Sequence, residues 1–390
     1  MRHLALALLL AAAARADDGA AAPPSRWCHA RGPASGCGIS LARAPRSFGR
    51  VAWTHKARDL VLFPPVVWDG AAFVLDGSDK KAELLALDVE TGQVWARAPV
   101  KEPGQPVAFA RGVVLVEEGK RLVQIRLAGR AFAREWSYEA GAKVSAPRII
   151  DGEIYVTTPG ALLSLRAGLS RPVWKVDGTF VGEPAVRDGH VYALRRDGTS
   201  LLLGAHARED GKEAASVAVS EDAAAGPGGR VIVGVEVAAV LLQEKSWAIL
   251  TRKMSDGKPE LKLARTEKLV TEPLAGRFVL LAVTEEPRGW CFLNPNAKEA
   301  RQPVVLANDR PDLFDAPVPC VWLGESDQCY GNWCGDPYGN LIHWHANQRP
   351  EGAPLKKGLR FHAVPGRHEL LLLVPADGKS LLALAPEEIR

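Results

Sequence analysis

The chain has 390 residues, with 49 Lys and Arg against 45 Asp and Glu and a formal net charge of +4. The charges are spread along it, and no Lys/Arg block interleaves with aromatics, which excludes a nucleic-acid-binding arm. No apolar run reaches the roughly 20 residues needed to cross a bilayer as a helix, so the sequence predicts no transmembrane segment.

The first element in chain order is a leader. Met1, Arg2 and His3 precede an apolar run over residues 4–14, and Ala14-Arg15-Ala16 then offers a small-x-small cleavage pattern before Asp17. This predicts a secretory signal peptide over residues 1–16 and an exported, soluble protein, periplasmic or secreted. No cysteine stands at the cleavage point to carry a lipid. Residues 17–48 read as an N-terminal extension, and residues 49–390 as one large repeat domain.

The repeat begins at "FPPVVWDGAAFV" and recurs as "GQPVAFARGVVLV", "SAPRIIDGEIYV" and "GEPAVRDGHVYAL". Each copy has a proline, a short apolar run, a turn with glycine and a β-rich segment. The prolines are Pro65, Pro106, Pro147 and Pro184, spaced 41, 41 and 37 residues apart, with weaker copies at Pro227, Pro273, Pro317 and Pro365. Trp53, Trp95, Trp136 and Trp174 keep step at spacings of 42, 41 and 38. Short alternating strands in units of about 40 residues predict an all-β fold, a β-propeller of eight four-stranded blades, or seven if Pro227 marks an irregular linker.

The ends of the chain predict how the ring closes. "GKSLLALAPEEIR" matches "AELLALDVETG" up to its turn and then lacks a tryptophan strand, whereas "GRVAWTHK" precedes any complete unit. The N-terminal strand should complete the C-terminal blade. The tryptophans themselves are expected to dock neighbouring blades together. Gly70, Gly152 and Gly189 are expected in tight turns where positive φ is cheap.

In "LLALDVETGQVWA", the turn Asp88, Thr91, Gly92 followed by Trp95 resembles the tryptophan-docking repeat of quinoprotein (PQQ-like) propellers. "WCHARGPASGCGISLARAP" resembles the opening of secreted bacterial PQQ-like repeat proteins at Trp27, Arg31, Gly32, Pro33, Gly38 and Ser40. The resemblance implies a propeller related both to quinone-dependent dehydrogenases and to the non-catalytic outer-membrane assembly propeller lipoprotein, which binds partner proteins. The adjacent cysteine pair of the dehydrogenases is missing here, as are a convincing calcium-ligand set and a Cys-x-x-Cys-His haem motif. The expectation is therefore a monomeric scaffold that binds protein partners, without catalytic residues and without a cofactor. The alternative is an oxidoreductase holding PQQ and calcium in the central channel.

Six cysteines in an exported chain point to disulfides. Cys28 and Cys37 flank the Arg-Gly-Pro loop, and Cys291, Cys320, Cys329 and Cys334 fall in the irregular segment at about residues 291–345, the preferred surface for a partner. A competing reading of that segment uses Cys329, Cys334, His343 and His345 as zinc ligands. The oxidising compartment and the even cysteine count favour the disulfides, and no metal site is expected.

Overall fold

A computed structural model of the chain describes residues 48–221 and 229–269 almost without interruption. It also describes His29 and Ile39–Ser40 before them and, beyond residue 270, chiefly the strands. The described residues are all β, with no helix, and pair into eight sheets.

Six sheets have four strands and two have five. The first comprises Leu60–Val61 and Val66–Trp68, then Ala71–Gly77, Lys81–Asp88 and Val94–Lys101. The second holds Val107–Phe109, Gly112–Glu117, Arg121–Ala128 and Ala131–Glu139. The third holds Arg148–Ile150, Glu153–Thr158, Ala161–Arg166 and Trp174–Asp177, and the fourth Thr179–Arg187, His190–Asp197, Ser200–Ala207 and Glu213–Ser220. The fifth contains Val231–Val233, Val237–Gln243, Ser246–Ser255 and Lys258–Lys268, and the sixth Leu274–Ala275, Leu280–Thr284, Gly289–Leu293 and Arg301–Pro303. Val321–Leu323, Asn332–Gly335, Asn340–His343 and Glu351–Pro354 build the seventh, and Phe361–Pro365, Leu371–Pro375 and Ser380–Pro386 the eighth. Within each set the pairing is antiparallel and sequential, except that Leu60–Val61 and Val66–Trp68 of the first both pair with Ala71–Gly77.

Closure follows the sequence reading. Phe48–Lys56 pairs antiparallel with Ser380–Pro386 as the outermost strand of the eighth sheet, with His55 opposite Leu381 and Lys56 opposite Ser380. Asp76, a buried carboxylate of the first sheet, holds the seam. It accepts the Arg58 amide at 2.8 Å and stands 3.2 Å from the Nε2 atom of His55.

First strands of successive sheets touch one another, Val66–Trp68 against Val107–Phe109, then on through Arg148–Ile150, Thr179–Arg187, Val231–Val233 and Leu274–Ala275. Most of these strands are short, and Val107–Phe109 and Arg148–Ile150 are mostly buried, whereas a fourth strand such as Ala131–Glu139 is largely exposed. The first strands therefore surround the axis, and the sheets radiate outward as propeller blades.

Tight hairpins set the register. Asp69-Gly70, Asp151-Gly152 and Asp188-Gly189 have positive φ at both positions, 43° and 86°, 51° and 80°, 45° and 72°. That is the two-residue turn whose twist matches paired strands. In the second sheet the same turn is made by Ala110 and Arg111, at φ 48° and 60°. Gly112 instead begins the next strand, where a Cβ would come within 2.2 Å of the Ile125 carbonyl oxygen. The prolines precede or sit within first strands, except that Pro365 closes Phe361–Pro365 rather than opening it. The eighth unit thus keeps the spacing but carries its landmark at the far end of its first strand.

Alternation explains how single strands serve two interfaces. Ala72, Val74, Leu85 and Leu87 pack against Leu372, Val374 and Leu381 of the eighth sheet, while Ala71, Phe73, Leu75 and Leu84 pack against Leu115, Val123 and Ile125 of the second. The period of two sends consecutive residues to opposite faces, so a run such as "AAFVL" is buried on both. Each such Val, Leu or Phe contributes about 1.5–3 kcal/mol by burial. The same division recurs between second and third, third and fourth, and fourth and fifth sheets.

Candidate functional site: the ring axis and the inter-sheet clamps

The tryptophans do not dock within their own sheets. Trp53, on the outer strand of the eighth sheet, donates its Nε1–H to the Val89 carbonyl of the first sheet at 2.9 Å. Trp136 of the second sheet donates to Leu169 of the third at 2.8 Å, and Trp174 of the third to Arg208 of the fourth at 2.7 Å. Each acceptor lies in the turn between a third and a fourth strand. Trp95 packs into the core between first and second sheets.

Asp88, Thr91 and Gly92 build the turn that receives Trp53. The Asp88 carboxylate accepts the amides of Glu90 at 2.8 Å and Thr91 at 2.9 Å, and the Asp88 carbonyl accepts the Gly92 amide at 2.8 Å. Gly92 has φ +70°, and a Cβ there would sit 2.6 Å from the Trp53 indole. Gly211 repeats the arrangement in the fourth sheet, at φ +75° with Trp174 at 2.8 Å. Glycine serves twice at these points, supplying the left-handed conformation and the space for the ring.

A second set of links went unnoticed in the sequence. Asp188 and Tyr192 of the fourth sheet grip Arg252 of the fifth, which is 0% exposed. Arg252 donates through Nε to the Tyr192 hydroxyl at 2.7 Å and through Nη2 to Asp188 at 2.6 Å, and it stands 5.3 Å from the Tyr192 ring centre. Asp151 and Tyr155 of the third sheet hold Arg208 of the fourth in the same way, at 3.0 and 3.2 Å, with Glu153 at 3.3 Å. Burial and then the Glu153 carboxylate push the Tyr155 phenol far up, and burial raises that of Tyr192. Both phenols stay neutral and serve as hydrogen-bonding groups. The available signal was the recurring Asp-Gly-x-x-Tyr at 151–155 and 188–192.

Glu117, buried at the edge of the second sheet, is held by Arg134 at 2.6 and 2.8 Å and by Arg121 at 3.0 Å. Burial raises its carboxyl, but the Arg134 hydrogen bond and the charges of Arg134 and Arg121 win and hold it below its usual value.

At the axis the charges are committed to one another. Arg148, wholly buried at the start of its first strand, donates Nη2–H to Glu183 at 2.9 Å and Nε–H to the Pro184 carbonyl at 3.1 Å. Glu183 also faces Arg230 at 3.8 Å, and its amide donates to the Gly229 carbonyl at 3.0 Å. Burial pulls the Arg148 guanidinium down, Glu183 opposes that, and Arg230 adds to it. An arginine remains charged under such a shift. His29, only 2% exposed, places Nε2 at 3.0 Å from the Ile149 amide. An amide can only donate there, so the imidazole nitrogen is the acceptor. Ile39–Ser40 runs parallel to Val321–Leu323, on the edge opposite Asn332–Gly335.

The cysteine pairings lie outside the described residues. Cys28, Cys37, Cys320 and Cys329 are not described, and Cys291 and Cys334 are described only as backbone within Gly289–Leu293 and Asn332–Gly335. His343 ends Asn340–His343, while His345 and the leader also fall outside. Among the described residues no three His, Cys, Asp or Glu side chains converge as a metal would require. Among the described residues no helix is long and apolar enough to cross a membrane.

No protein-family profile matches the chain, and no curated protein matches it by sequence. Solved structures do. BamB from Moraxella catarrhalis superposes with a TM-score of 0.55 at 12% identity, over 86% of this chain and 99% of that one. The computationally designed Ika8 protein gives 0.59 at 10%, over 86% and 100%. A europium-containing methanol dehydrogenase gives 0.50 at 11%, over 93% and 86%. Together with the sheet topology, these likenesses define the class: the chain is a β-propeller with a quinoprotein-like fold. At such identities the fold is what is shared.

Proposed function

We propose that this propeller is an exported, non-catalytic scaffold that binds protein partners, with no bound cofactor. The observation that carries the reading is the state of the axial charges. A calcium-supported quinone site needs acidic oxygens free to face a cation. Glu183, a carboxylate at the axis, faces two guanidinium groups instead. That pairing supports a ring that holds neither PQQ nor calcium. What remains is a rigid ring whose strands serve stability and whose loops offer recognition surface. The irregular segment at 291–345 is the surface assigned to the partner.

The test is a tryptophan-fluorescence titration of the mature protein with PQQ, with and without calcium. The expected result is no saturable quenching at micromolar concentration. Saturable, calcium-dependent quenching would replace the scaffold with an oxidoreductase, and alcohols and sugars would become the substrates to screen.

A further inference from the structure

Two of the first-strand edges at the axis are already in use, and the user is the chain itself. In the third sheet, Ile150 and Glu153 close the two-residue turn, and Ile149 lies opposite Ile154. The closing pair of such a hairpin exchanges hydrogen bonds, so the next residue back points its amide away from its partner strand. Ile149 therefore directs its N–H toward the axis, and His29 accepts it. In the seventh sheet the corresponding edge of Val321–Leu323 is covered by Ile39–Ser40, with Ile39 opposite Trp322 and Ser40 opposite Leu323.

We propose that the inner edges of the third and seventh sheets form a bipartite docking site for extended polypeptide, occupied in this chain by its own His29 and Ile39–Ser40. The two edges belong to the third and the seventh of the eight described sheets, four places apart in chain order. The two contacts lie ten positions apart in sequence, and a chain of that length reaches at most about 35 Å. One contact raises the effective concentration of the other, so neither has to be strong alone. A two-residue strand and one accepted hydrogen bond would each be marginal if unlinked. The inference concerns backbone edges and stands apart from the scaffold reading, because amide exchange reports on it whether or not the ring binds another protein.

The experiment is hydrogen exchange on the full mature chain, resolved at the Ile149 amide, for the native protein, His29→Leu, His29→Gln and the double variant Ile39→Pro/Ser40→Pro. Proline has no N–H and cannot pair at the seventh sheet. The Ile149 amide is expected to exchange about tenfold faster in His29→Leu, the scale of one net hydrogen bond. It should also exchange faster in the double proline variant, whose changes lie at the seventh sheet. His29→Gln keeps an acceptor at similar reach and should retain protection. Amides of Gly112–Glu117 serve as the folding control and should not change. Unchanged Ile149 exchange in the double proline variant would overturn the bipartite site, as would an Ile149 amide already unprotected in the native chain.

Discussion

Gly92 shows how much one residue can carry in this ring. Any side chain there must take φ +70° and also enter the Trp53 indole. Gly92→Ala is expected to cost about 2–4 kcal/mol, combining left-handed strain with overpacking, as read by chemical denaturation. His206 and Glu117 set the acid response. His206 is 1% exposed, its Nδ1 is 3.1 Å from the Gly211 carbonyl, and burial lowers its pKa from 6.5. Its folded form is neutral, so its contribution is complete above about 6.5 and is lost as pH falls through the folded value. Glu117 has the same sign in a lower window. Its lowered carboxyl contributes above the ordinary value of 4.5, and that contribution is lost as pH falls through the folded value. Urea denaturation between pH 7 and 3 should show both losses. His206→Asn, which keeps a donor toward Gly211, should flatten the upper one, and Glu117→Gln the lower one.

The elements of the ring differ in how plainly the sequence announces them. The repeat is visible because the Asp-Gly turns and prolines recur at fixed places for backbone reasons, and because strands buried on both faces leave unbroken apolar runs. The partner of each tryptophan is not visible. "LLALDVETGQVWA" joins a turn that receives Trp53 from one neighbour to a Trp95 that faces the other, so the motif spans two interfaces. The arginine clamps are hidden for another reason. By residue type Arg252 reads as surface, and only the phenol and carboxylate brought by the adjacent sheet make its burial tolerable. Arg252→Met should therefore cost about 3 kcal/mol by leaving Asp188 and Tyr192 without their partner. Arg208→Met should cost less, about 1 kcal/mol, because Arg208 keeps 21% of its side chain in water. A denaturation series on the two variants checks the ranking. The axial contacts of His29 and Ile39–Ser40 were illegible altogether, since one residue and a two-residue strand leave no periodicity to read.

Across the whole molecule, cohesion depends on a seam made by the two ends of the domain. Phe48–Lys56 supplies the fourth strand of the eighth sheet, and Trp53, His55 and Arg58 tie that strand to the first. Deleting residues 17–56 should lower the melting temperature of the entire domain, by about 2–4 °C for each kcal/mol lost. An unchanged melting temperature would mean that the seam does not carry the ring.

That seam also has a timing. Phe48–Lys56 leaves the ribosome long before its partner, which is made more than three hundred residues later, as His55 opposite Leu381 records. At about 5–20 residues per second, the wait is on the order of 15 to 65 seconds. For that interval the nascent chain holds an unpaired β edge and an incomplete circle, a state open to chaperones.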